Sequence, residues 1–167
     1  MLTTPEDIDA VLAAEKRIAG RPAWSKSRET TVRISVPLQI GDAIVGGLFL
    51  AGTASVHNAP QDGSLVLQYQ GQVIERMSVF PTAPHANPLD KRLTPELRGL
   101  TLPAFRHRYH AWMRNRRWPR PAGDNLAVAK LLDLDLANFA EAVQYFMQRT
   151  RIGGSLPPPR HEPRLKL

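Results

Sequence analysis

Residues 102–118, LPAFRHRYHAWMRNRRW, decide how this chain folds. Read as a strand, Phe105, His107, Tyr109, Ala111 and Met113 share one face, and Arg106, Arg108, His110, Trp112 and Arg114 share the other. Read as a helix, His107 and His110 fall three residues apart on one side, followed by Arg114 and Arg117. The two readings carry different chemistry. A helix pairs the histidines for metal binding or proton transfer, whereas a strand separates them. Tyr109 and Trp112 favour the strand, and Pro103 can open an edge strand; the helical alternative stays open.

Charge is concentrated around this run. The chain has 167 residues, a formal net charge of +7 and no cysteine. Between Lys91 and Arg120 nine Lys or Arg side chains face a single acid, Glu96. Such a field attracts polyanions, and arginine binds phosphate as a fork and stacks on bases. A nucleic-acid partner is expected, with an acidic or nucleic-acid-binding protein complex as the alternative. The lack of cysteine excludes disulfides, thiolate zinc sites and cysteine nucleophiles. The first twenty residues lack the pattern of a signal peptide, and no run approaches a membrane span. A cytoplasmic protein with no membrane association and no cofactor is expected.

The rest of the chain sorts into helical ends and a β-rich middle. Residues 4–19 read as a helix with Thr4 as cap and Pro5 at its first position, ended by Gly20. TTVRISVPL (30–38) alternates, with Val32, Ile34 and Val36 on one face and Arg33 and Ser35 on the other. AIVGGLFLAGTASV (43–56) is strand-like, and SLVLQYQ with QVIERMSVF form a hairpin around Gly71. In the latter, Glu75 and Arg76 need either an open face or polar partners. NLAVAKLLDLD reads as a short helix, and LANFAEAVQYFMQR as a longer one with Phe139, Ala142, Val143, Phe146 and Met147 on one side and Asp135 as a cap. The expectation is an α+β fold: an N-terminal helix, an antiparallel sheet of about four to five strands, and two C-terminal helices packed on one face. Residues 1–152 form the domain, and the Pro-rich 153–167 a flexible basic tail.

FPTAPHANPLDKRL (80–93) follows the second hairpin strand. His85 hydrogen-bonded to backbone, with Asn87, Pro88 and Asp90 shaping a turn, is one reading. The other brings His85 and the 102–118 histidines to one sheet edge near Arg76. IERMSVFPTAPHANPLD, RHRYHAWMRNRRW and LANFAEAVQYFMQRTRI together resemble a family of small uncharacterised prokaryotic and phage-borne domains. That family has an arginine-bearing strand, a His-x-Asn-Pro-Asp-like loop, a histidine-rich strand and a closing helix. The resemblance spans roughly residues 70–152 and matches Arg76, His85, Asn87, Pro88 and Asp90, with Leu89 interrupting the Pro-Asp step. His107-Arg-Tyr-His110 departs from its His-x-His-x-Tyr alternation. The resemblance implies a site and no activity.

Four functions follow. Nucleic-acid binding, chiefly of RNA or single strands, would use Arg106, Arg108, Tyr109, Trp112, Arg114, Arg116, Arg117, Trp118 and Arg120, with aromatics stacking between phosphate contacts. A metal-independent ribonuclease would use His85 with His107 or His110 as base and acid, and Arg76 or Arg108 to steady the developing charge. A metal held by His85, His110 and Asp90 lacks any ligand spacing to support it. A protein-interaction or inhibitor module of a phage or defence system would use the same basic face.

Overall fold

The computed structural model describes residues 3–116 and 126–164. It is mostly β. The chain runs α1 (Pro5–Ala13), β1 (Lys16–Ile18), β2 (Ser25–Arg28), β3 (Thr31–Ile40), β4 (Ala43–Ser55), β5 (Gly63–Tyr69), β6 (Gln72–Val79), β7 (His85–Ala86), β8 (Thr101–Leu102), β9 (Arg108–Ala111), α2 (Trp112–Asn115), β10 (Lys130–Leu131), α3 (Phe139–Arg149) and β11 (Ile152–Gly153). Nine strands form one mixed sheet in the order β10-β9-β6-β5-β4-β3-β1-β11, with β2 also on β3; β7 and β8 form a second, two-stranded sheet. All pairings are antiparallel except β1 with β11. The expected α+β fold with two C-terminal helices is therefore overturned.

The corrections have local causes. The first helix stops at Ala13 because a buried Lys16 ends it: its ammonium donates to the carbonyls of Val11 (2.6 Å) and Ala14 (2.6 Å), which no longer have helical partners. The backbone of Lys16 then enters a strand between β3 and β11. The expected short helix at 125–135 is absent among the described residues; 126–129 forms neither helix nor strand and 130–131 is β10. The closing helix starts later than Asp135, because Asn138 caps it by accepting the Glu141 N–H at 3.0 Å. Within residues 153–164 several backbone groups are bonded to the rest of the domain. Trp24 Nε1 donates to the Pro157 carbonyl, Gln61 Nε2 to that of Arg160, and the Glu162 N–H to that of Val56.

The central hairpins fold as their alternation requires. Gln70 and Gly71, both at positive φ, make the two-residue turn between β5 and β6. Val32, Ile34, Val36, Leu48, Leu50, Leu65, Leu67, Met77 and Tyr109 point inward, where they meet Ile8 and Val11 of α1 and the five predicted residues of α3. Residues 102–116 divide between strand and helix. Residues 108–111 are a strand, and Trp112 begins a single helical turn. Among the described residues no helix is long and apolar enough to cross a membrane.

Gly63 leaves no room for a side chain between the sheet and α3. A Cβ there would overlap the Thr53 carbonyl and crowd the Phe139 ring. Gly63→Ala is expected to cost about 1–3 kcal/mol, read as a lower urea midpoint with an unchanged slope.

Candidate functional site

Opposite residues of an antiparallel pair share a face, so the register defines what the outer face of the sheet presents. One row runs Ser25, Arg33, Thr53, Ser64, Ser78, Arg108 across β2, β3, β4, β5, β6 and β9. The Thr53 and Ser64 hydroxyls touch at 3.1 Å, in keeping with that alignment. The next row runs Ser35, Ala51, Val66, Arg76, His110. The outer face thus carries mostly small and hydroxyl side chains, with Arg33 toward one edge and Arg76 and Arg108 toward the other. Arg33, Ser35 and Thr53 are exposed, whereas Ser78, Arg108 and His110 lie buried under the 80–103 region. At strand spacings of ~4.8 Å, Arg33 and Arg108 stand roughly 19 Å apart.

At the covered end four cationic or titratable groups converge. Arg76 and His110 face each other across β6 and β9. The His85 ring, carried on β7, meets the His110 ring edge-on, with centroids 5.1 Å apart. Arg108 donates through one terminal nitrogen to the Ala83 carbonyl at 3.1 Å, while its Nε has no partner. Among the described residues, neither Arg76 nor Arg108 has an ion pair with a carboxylate.

Both histidines of the pair are held by backbone. His85 Nε2–H donates to the Ala127 carbonyl (3.0 Å), and His110 Nδ1–H to that of Leu126 (2.6 Å). The nitrogen left over on His110, Nε2, is buried without a partner. Burial, followed by the field of Arg76, takes the His110 imidazolium down to about 3. Burial, helped by Arg108 and Arg76, lowers His85 as well. Burial thus favours the neutral form of both rings, and the N–H of each is engaged by a backbone carbonyl.

The loop residues hold the site together. Asn87 accepts the Ala129 N–H at 2.8 Å and donates to the carbonyls of Ala129 (2.9 Å) and Leu97 (3.0 Å). Asn115 treats Val128 in the same way, accepting its N–H and donating to its carbonyl, both at 2.9 Å. Two buried amides therefore replace a strand ladder along 126–129, and present its carbonyls to the two histidines. The Pro88 carbonyl accepts from Gly99 N–H, and Asp90 is bound by Arg92 through its side chain and by Arg98 through its carbonyl.

Several expected residues lie elsewhere. His107 is fully engaged: Nδ1 accepts the Phe80 N–H, Nε2–H donates to the Leu136 carbonyl, and the ring packs on Phe80 at 4.2 Å. Tyr109 and Trp112 are core residues, so neither offers a stacking surface; Tyr109 packs on Phe146, and Trp112 Nε1 donates to Asp9. Arg116 pairs with Asp9 at 2.8 Å. Arg106 is exposed and Arg114 half-buried. Arg117, Trp118 and Arg120 lie outside the described residues. The sequence reading missed Arg33 as a site residue, although alternation had already put it on the polar face, and missed Asn115, which carries no local signal. Among the described residues no group of three or more His, Cys, Asp or Glu side chains is placed to hold a metal ion; Asp90, the proposed third ligand, is taken by Arg92. No family model, curated protein or solved structure matches the chain, and the resemblance over residues 70–152 rests on its motifs alone.

Two outcomes follow. Asn87→Ala and Asn115→Ala each strand backbone groups of 126–129 and are expected to cost about 1–3 kcal/mol in urea unfolding. Asn87→Asp is expected to fail too, because a carboxylate cannot donate to Ala129 and Leu97. Secondly, His110 is at about 3 in the fold against an ordinary 6.5. Between those values the unfolded chain binds the extra proton, so stability falls as pH drops through that window. His110→Asn keeps a donor toward Leu126 and is expected to flatten that loss, measured by unfolding at about pH 7 and about pH 4.5.

Proposed function

We propose that this protein binds single-stranded nucleic acid, RNA above all, along the outer face of its sheet, without cleaving it. The observation that carries this reading is the pair Arg76 and Arg108, partly or wholly buried and without a carboxylate partner. Desolvated cations are costly unless an anion meets them, and no side chain of the described residues supplies one. The hydroxyl stripe toward exposed Arg33 extends the site over a length suited to a strand rather than a lone phosphate. A flat polar sheet face is a usual support for single strands, and the +7 charge steers a polyanion to it. The His85 and His110 rings, each held by a backbone carbonyl, suit a structural role in the site better than proton transfer.

The test is a gel shift with end-labelled single-stranded RNA and matching DNA in EDTA, over a range of salt. A salt-sensitive shift with intact strands is expected. Arg33→Gln and Arg76→Gln should each weaken binding and reduce the log–log salt slope by about 0.7, the value for one lost contact to a single strand. Cleaved RNA would restore the ribonuclease reading. Binding insensitive to salt and to both variants would remove the outer face as the interface, and an acidic protein partner would then be sought by pull-down.

A further inference from the structure

A cleft of about 850 Å³ adjoins the outer-face stripe, lined by Thr30, Thr31, Ser55, Asp62, Thr82 and Phe105 among others. Its position follows from the register. Thr31 and Ser55 oppose each other on β3 and β4, two residues from the Arg33–Thr53 pair of the stripe. Two residues along a strand is about 7 Å. The cleft and the buried cationic cluster share a border. Thr82 lines the cleft, the next carbonyl, of Ala83, receives Arg108, and His85 belongs to the cluster.

Phe105 is the unusual member. It is 56% exposed and sits at φ +60°, a left-handed conformation that a bulky side chain adopts only under constraint. The constraint is visible: its N–H donates to the Pro81 carbonyl at 2.7 Å, tying the 103–106 turn to the loop that leads to His85. The result is an aromatic ring held at the mouth of a polar cleft, at the cost of backbone strain and of exposing apolar surface. Strain of this kind collects where a site is preorganised. Behind the ring, the Ser55 hydroxyl is buried with no hydrogen-bond partner, and Asp62 takes the Asn58 amide on one carboxylate oxygen.

We propose that this cleft receives one unpaired nucleobase, stacked on Phe105, while the flanking phosphates lie on the arginine and hydroxyl rows. The volume lies within the range of small-ligand pockets. An aromatic wall beside hydrogen-bonding groups is what a base needs, with a π face for stacking and a polar edge for pairing. Phe105 thus fills the stacking role that Tyr109 and Trp112, both buried, cannot. This inference rests on the phosphate reading above and adds a base subsite to it.

The experiment uses the full chain and two short single strands, one carrying 2-aminopurine and one abasic at the same position. Binding of the first to wild-type protein is expected to change its fluorescence through stacking. Phe105→Ala should abolish that change and weaken the base-containing strand roughly tenfold, while leaving the abasic strand unaffected; Phe105→Tyr should restore both. The side chain is exposed, so neither variant threatens the fold. Equal affinity of wild type and Phe105→Ala for both strands overturns the base subsite and leaves the phosphate reading standing. No binding of either strand at low salt overturns the phosphate reading, and the base subsite with it.

Discussion

The register of β6 against β9 is the constraint on which the rest depends. With Met77 opposite Tyr109 and Arg76 opposite His110, Tyr109 and Ala111 of β9 face the core while Arg108 and His110 face the other side of the sheet. Slipping β9 by one residue would reverse this. Arg108 and His110 would enter the packing around Phe146, and Tyr109 would be expelled. No compact arrangement of α3 survives that exchange. The buried Glu75 supports the register from the inner side, since its carboxylate accepts the Trp112 N–H at 3.0 Å and fixes the point where β9 turns into α2. Burial raises the Glu75 carboxyl above its usual range, so this inner polar contact is itself bought against desolvation.

The outer side of the same strands is stabilised by different means. Segment 126–129 cannot join a regular ladder, because β10 begins only at Lys130. Asn87 and Asn115 supply the missing donors and acceptors, and His85 and His110 take the remaining carbonyls. All of these groups are neutral. Two arginines sit among them, and among the described residues neither forms an ion pair with a carboxylate. Had the loop been built on Asp rather than Asn, it would have lost two donors and gained a counter-charge, and the cluster would have closed upon itself. Amides thus carry the structural work of the loop without adding a counter-charge to the two arginines.

How far this was legible in the sequence differs element by element. The strict alternation of 32–38 and the turn at Gly71 gave the inner and outer faces of the central hairpins correctly, down to Arg33 and Ser35 pointing outward. The alternation of Arg108 to Ala111 was equally readable, but its end was not, because Glu75, which captures the Trp112 N–H, is 37 positions away. The short strands escaped for a related reason. Lys16–Ile18, Lys130–Leu131 and Ile152–Gly153 are too brief for a period to develop, and their hydrogen bonds come wholly from distant partners. Val128 and Leu132 stand at the i, i+4 spacing of a helix, whereas residues 126–129 form neither helix nor strand. The candidate site was half legible. Arg76, His85 and His110 do come together, whereas the supposed aromatic platforms prove to be core, which nothing in RHRYHAW distinguishes from a surface.

One further consequence follows from the sheet having only one face to spare. Since α1 and α3 occupy the inner side, any macromolecule that this domain recognises through its sheet must approach from the outer side, and the cover there is graded. Toward β3 and β4 the face is open, and Arg33 can act at a distance through solvent, where charge raises the rate of encounter but adds little affinity. Toward β9 the same rows pass beneath the 80–103 region, where Arg76 and Arg108 have lost water and an arriving anion meets them in a weakly screened environment. Attraction is therefore weakest per contact where access is easiest and strongest where access is narrowest. The loop between Pro81 and His85 is the part of the structure that both the cationic cluster and the Phe105 cleft share.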